Sequence, residues 1–145
     1  MPDPVGETLL LDTHIWIWIM AGGSPSLSPR ARDEIDTVGR TGTLLMSAIS
    51  VWETALLEAR GRVTLRLPVA EWVDALLRGP GARLLPLHPD ITIDSTRLPG
   101  APHADPADRI LMASARLTGA RLVTCDTRII RYASAGHLAV LDARA

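Results

Sequence analysis

Four carboxylates fall where apolar strands run out or where helical patterns begin. Asp12 closes the run "TLLLD", Glu53 lies within "SAISVWETAL", Asp108 within "HADPADRILM", and Asp126 closes "ARLVTCD". Asp105 precedes Asp108 by three residues, with Pro106 between them. Brought together, such acids crowd negative charge, and each raises the others' pKa unless a cation intervenes. The chain offers one cysteine and no paired histidines, so the donors available are hard oxygens. Oxygen donors select Mg²⁺ or Mn²⁺ over zinc. A divalent ion that keeps some of its waters can activate one for attack on a phosphodiester and offset charge on the phosphoryl oxygens.

Each acid also has a purely structural explanation. Asp12 and Asp105 are good helix N-caps, Asp105 more so because Pro106 suits the first helical position. Asp108 then gains ~0.3–1 kcal/mol from the helix dipole. Asp126 reads equally as a turn or cap residue after a strand. Thr124, two residues earlier, shares its strand face, and its hydroxyl could hold a water in the same pocket. Glu53 is more informative. On a helix of 3.6 residues per turn, its neighbours three and four away are Ile49, Ser50, Leu56 and Leu57, none of them basic. It borders a stripe of Ile49, Trp52 and Leu56, whereas Glu58 falls on the solvated side. A carboxylate at the edge of an apolar face is costly unless something neutralises it. The alternative is a capping box, "SVWE", with Ser50 as cap; Arg60 is a weaker rival partner.

Composition narrows the rest. The chain has 145 residues, 47% of them hydrophobic, which suits one domain spanning 1–145 with a single packed core. No stretch is apolar for the ~18 residues a membrane span needs. The apolar run near the start contains Asp12 and His14 and lacks a basic flank, so no signal peptide is expected and a cytoplasmic location is. The net charge of −1 announces no broad basic surface for nucleic acid. All fifteen basic residues are arginine. The absence of lysine excludes a P-loop and Schiff-base chemistry. Arginine suits bidentate contacts to phosphate or carboxylate. Cys125 reads as a small buried hydrophobe.

Strand and helix patterns alternate. Strands are expected at 8–12, 43–47, 82–87, 120–126 and 137–142. Helices are expected at 14–20, from Pro29 to about Val38, at 49–60 with Gly61 as stop, at 69–77, at 89–97, and at 105–119 between Asp105 and Gly119. That order predicts an α/β fold: a three-layer α/β/α sandwich around a mainly parallel five-stranded sheet. In open parallel sheets the working site lies beyond the carboxyl ends of the strands, which makes Asp12 and Asp126 neighbours. Trp52 is expected in the core. Trp16 and Trp18, two apart on a short helix, cannot share one face, so one of them is expected at an interface; Trp72 is a candidate for either setting.

At "LLLDTHIWIW", "SAISVWETAL" and "HADPADRILMASARLTGARLVTCD" the chain resembles PIN-domain ribonucleases, and more narrowly the VapC toxins of bacterial toxin–antitoxin pairs. The resemblance covers nearly the whole chain, in order, and is most specific from His103 to Asp126. It places the family's acidic quartet on Asp12, Glu53, Asp108 and Asp126, with Asp105 as the extra acid of a "D-P-x-D-R" subgroup and Thr124 as the threonine of a "T-x-D" ending. Thr13, beside Asp12, is a candidate to support the quartet. The chemistry implied is Mg²⁺- or Mn²⁺-dependent hydrolysis of RNA. Asp12, Asp108 and Asp126 would hold the metal, and Glu53 would bind it or its waters. The resemblance also implies a homodimer and a VapB-type antitoxin whose tail lies across the cleft.

Arg109 and Arg116, seven apart on one helix, share a face that is either simply solvated or turned to RNA or a partner. His14 and His103 flank proposed site residues and read as hydrogen-bonding or surface histidines rather than ligands. Two other readings compete. One is a PIN nuclease of RNA processing with no antitoxin. The other is a non-cleaving regulatory module with an acidic pocket, although a receiver-type module needs a lysine that this chain lacks.

Overall fold

The computed structural model describes residues 6–100, 102 and 104–145. Five strands alternate with helices in chain order: β1 (Thr8–Leu11), α1 (Thr13–Met20), α2 (Pro29–Thr41), β2 (Thr43–Ser47), α3 (Ala48–Ala59), α4 (Val69–Leu77), β3 (Ala82–Leu85), α5 (Pro89–Ser95), α6 (Pro106–Thr118), β4 (Arg121–Thr124), α7 (Thr127–Ala133) and β5 (Val140–Asp142). The sheet order is β3-β2-β1-β4-β5, and every described pairing is parallel. The sheet is therefore wholly parallel among the described residues, where the sequence pattern supports only a mainly parallel one.

Because successive strand residues face opposite ways, the apolar runs feed two layers. Leu9, Leu11, Leu44, Met46 and Val123 pack with Trp16, Ile35, Trp72 and Leu76 of α1, α2 and α4. Leu10, Leu85 and Leu122 pack on the other side with Ile91, Leu111, Met112 and Ile129 of α5, α6 and α7. Helix α3 touches both layers, with Val51 against the first and Ile49 against the second.

The caps explain most boundaries. Ser28 accepts from the Ala31 amide at 3.0 Å, ahead of Pro29. Asp105 accepts from the Ala107 and Asp108 amides at 2.9 and 3.2 Å, and Gly119 ends the same helix in the left-handed region at φ +73°. Strands β3 and β4 are shorter than the apolar runs that contain them. Pro86, with no N–H to donate, follows β3 directly, and the Thr124 side chain takes over the Asp126 amide just past β4. Helix α7 was not expected: "TRIIRYA" is only seven residues, too short for its period to stand out.

One expectation and one alternative for α3 are corrected. The helix is capped by Ser47, which accepts from the Ile49 amide at 3.1 Å, so Ser50 and Glu53 form no capping box. Its most buried positions are Ser50 and Thr54, not the apolar stripe, and Trp52 is 56% exposed rather than in the core. Trp16 and Trp72 are buried, and Trp18 is half-buried with its ring 6.0 Å from that of His14.

Leu10 lies at the centre of the sheet and is fully buried. Leu10→Ala is expected to cost about 2–5 kcal/mol, a fall in melting temperature of roughly 6–15 °C by thermal denaturation.

Candidate active site

The sheet reverses direction of growth between β1 and β4: the chain builds outward through β2 and β3, then returns to β4 and β5. Such a switch point opens a crevice at the carboxyl ends of the two central strands. Asp12 follows β1 and Asp126 lies two residues beyond β4. The Asp12 amide donates to the Val123 carbonyl at 2.9 Å, which locks the end of β1 against β4.

Hydroxyls on neighbouring elements orient the acids. Asp12 Oδ1 accepts from the Thr13 amide at 2.7 Å, capping α1, and Oδ2 accepts from the Thr124 hydroxyl at 2.7 Å. Thr124 Oγ1 accepts in turn from the Asp126 amide at 3.0 Å. One buried threonine thus ties two of the acids together. Glu53 reaches across from α3, and its Oε1 lies 2.6 Å from the Thr13 hydroxyl. Asp108 enters from the first turn of α6, and Asp105 caps that helix.

These side chains lie within electrostatic reach of one another. Asp108 is pushed up to about 8, first by burial and then by Asp12, Asp105, Asp126 and Glu53. Glu53 is raised by burial, with Asp12 and Asp105 adding to it against the hydrogen bond from Thr13. Asp12 is raised by burial and by Asp126, against its hydrogen bonds from Thr124 and Thr13. The structure therefore brings Asp12, Glu53, Asp105, Asp108 and Asp126 to one edge of the sheet. Among the described residues, no three His, Cys, Asp or Glu side chains already stand close enough to form a metal cage. An oxygen-only set spread round a cleft still suits a small hard cation, because Mg²⁺ keeps several waters and takes only one or two carboxylates directly. A positive charge there would reverse the shift on Asp108.

Arg128 was overlooked in the sequence because α7 was. Its amide caps on Asp126 Oδ1 at 2.8 Å, and its Nη2 lies 3.5 Å from Asp126 Oδ2. Its side chain is 61% exposed, so it stands at the rim rather than filling the cleft. Arg109 and Arg116 do share a face, and both fasten α6 to its neighbours. Arg109 Nε donates to the Ser95 carbonyl at 2.8 Å. Arg116 Nη1 donates to the His137 carbonyl at 3.1 Å, and its Nε lies 3.6 Å from Asp94 Oδ2. His14 is exposed, Cys125 is half-buried, and His103 lies outside the described residues.

The fold and this edge place the chain in a known class: it belongs to the PIN domain family, whose model matches residues 9–135. Among individual relatives, Ribonuclease VapC22 of Mycobacterium tuberculosis is 34% identical over 122 residues, covering 84% of this chain and 89% of that protein. Two solved structures share the architecture. VapBC from Salmonella typhimurium, bound to DNA, matches with a TM-score of 0.67 and 14% identity over 94% of this chain and 98% of that one. VapBC2 from Rickettsia felis, bound to a fragment of its promoter DNA, matches with a TM-score of 0.66 and 16% identity over 93% and 98%.

The raised pKa of Asp108 has a direct consequence for stability. Between its ordinary value of 3.8 and about 8, the folded protein holds a proton that the unfolded chain has released. Metal-free stability is therefore expected to fall as pH rises through that window. Asp108→Asn removes this loss. Discounted for solvent access to ~1 kcal/mol, the variant should melt about 3 °C above the native protein at pH 8 in chelator, with the gap narrowing by pH 5. An equal gap at both pH values would contradict the assignment.

Proposed function

We propose that this chain is a metal-dependent endoribonuclease, the toxin half of a VapBC-type toxin–antitoxin pair. The observation that carries the reading is the convergence of four other acids on Asp108 at the switch point of the sheet. Its relation to a ribonuclease over most of its length supports RNA as substrate. The VapBC complexes among its structural relatives support an antitoxin partner. A homodimer and a cytoplasmic location belong to the same proposal. No helix of the described residues is long and apolar enough to cross a membrane.

Asp12, Asp108 and Asp126 are the residues that would hold Mg²⁺ or Mn²⁺, directly or through water, with Glu53 binding the metal or its waters. The bound ion would supply Lewis acidity toward the scissile phosphate and a lowered pKa for the attacking water. The chain supplies position. Thr124 fixes Asp12 and Asp126 relative to each other, and Thr13 fixes Glu53 from α1. Thr13 engages Oε1, so Oε2 of Glu53 is the atom assigned to orient the attacking water and accept its proton. Arg128, exposed beside Asp126, joins Arg109 and Arg116 as a guanidinium suited to an RNA phosphate.

Asp12→Asn is the informative substitution. Asparagine caps helices as well as aspartate does, so the α1 cap is kept while the charge is lost. Cleavage of RNA in Mg²⁺ or Mn²⁺ is expected to fall about 100-fold or more, and chelator should abolish it in the native protein. Cleavage that persists in both cases would refute the proposal. Absence of cleavage by the native protein would favour a non-cleaving module.

A further inference from the structure

Ser50 is fully buried in the first turn of α3, yet it neither caps the helix nor packs as an apolar residue. Its Oγ lies 2.9 Å from the Thr13 hydroxyl, which itself lies 2.6 Å from Glu53 Oε1. Thr13 has one hydroxyl proton to share between these two neighbours. The Thr13 hydroxyl donates to Glu53 Oε1 at 2.6 Å, the shorter of its two contacts, so its single proton is committed there. Thr13 is then left as an acceptor, and the Ser50 hydroxyl must donate to it. The direction of the chain is thereby set as Ser50 to Thr13 to Glu53.

The geometry points to Ser50 as a positioning residue that acts on Glu53 through Thr13. Ser50 and Glu53 lie on the same helix, and Thr13 stands opposite them on α1. The three groups form a closed link between helices that holds the carboxylate facing the cleft. Thr54, one turn on and also buried, donates its hydroxyl to the Ser50 carbonyl at 2.8 Å, which gives that buried hydroxyl its partner. Without the Ser50 donor, the Thr13 hydroxyl loses one of its two contacts, and Glu53 gains freedom to swing away. Each hydrogen bond aligned in this low-dielectric setting also strengthens the next.

The kinetic part of this inference rests on the ribonuclease reading; the hydroxyl chain itself does not. Its test is a double-mutant cycle with two readouts. In metal-free protein, the Thr13 hydroxyl should give a resolved, slowly exchanging proton resonance, and Ser50→Ala should shift or broaden it. In Mg²⁺, Ser50→Ala should lower kcat about tenfold and leave KM within about twofold, a loss of roughly 1.4 kcal/mol in the transition state. In a Thr13→Val background the same substitution should change kcat less than about twofold, because the link is already broken. Equal losses in both backgrounds would mean that Ser50 acts by packing, and would overturn the inference. So would native kcat together with an unchanged Thr13 resonance. If Ser50→Ala fails to fold, Ser50→Cys keeps the volume and weakens the donor, and is read in the same way. If the native protein cleaves no RNA, the ribonuclease reading fails and the Thr13 resonance alone decides the hydroxyl chain.

Discussion

Mutual repulsion among carboxylates at one sheet edge is the constraint that organises this molecule. Asp12, Glu53, the Asp105–Asp108 pair and Asp126 come from four separate places in the chain, and folding forces them within electrostatic reach of one another. Left alone, that arrangement works against folding, since burial and like charge both favour protonation. Hydroxyl and amide donors relieve part of it. Thr13 serves Glu53, Thr124 serves Asp12, and the Ala107 and Asp108 amides serve Asp105. Asp108 keeps its raised pKa because a donor eases charge without cancelling it, whereas a divalent cation cancels it.

The scaffold bears this strain because it is otherwise conventional. Both faces of the parallel sheet are covered, with Leu9, Leu10 and Leu11 of the central strand fully buried. Three of the acids double as helix caps, Asp12 for α1, Asp105 for α6 and Asp126 for α7. Capping fixes one carboxylate oxygen and so limits the rotamers open to the other. Glu53 has no such anchor in its own backbone, which is why its position depends on a side chain from another element.

Much of the fold was legible because its signals are local. The caps at Ser28 and Asp105, the stop at Gly119 and the apolar runs of β1, β2 and β4 are read from a few adjacent residues. The acids at the carboxyl ends of β1 and β4 followed from a general rule about parallel sheets. What escaped depended on contacts across the chain. Ser50 looks like a cap because serine three residues before glutamate matches a capping box; only the approach of α1 makes it a partner of Thr13. Trp52 looks like core by its apolar type, yet the face of α3 that packs inward is the one carrying Ser50 and Thr54. Arg109 and Arg116 were correctly placed on one face, but the carbonyls that engage them lie in α5 and in the segment before β5. Helix α7 and Arg128 were hidden by the shortness of that helix.

The proposed sharing of one divalent cation by these carboxylates is measured most directly by calorimetry of Mn²⁺ binding in buffers of differing ionisation enthalpy. If Asp108 titrates near 8, metal binding at pH 7 must displace close to one proton per chain, and the number must decline toward zero by pH 9.5. Mn²⁺ binding without proton release at pH 7, or no binding at all, would contradict it.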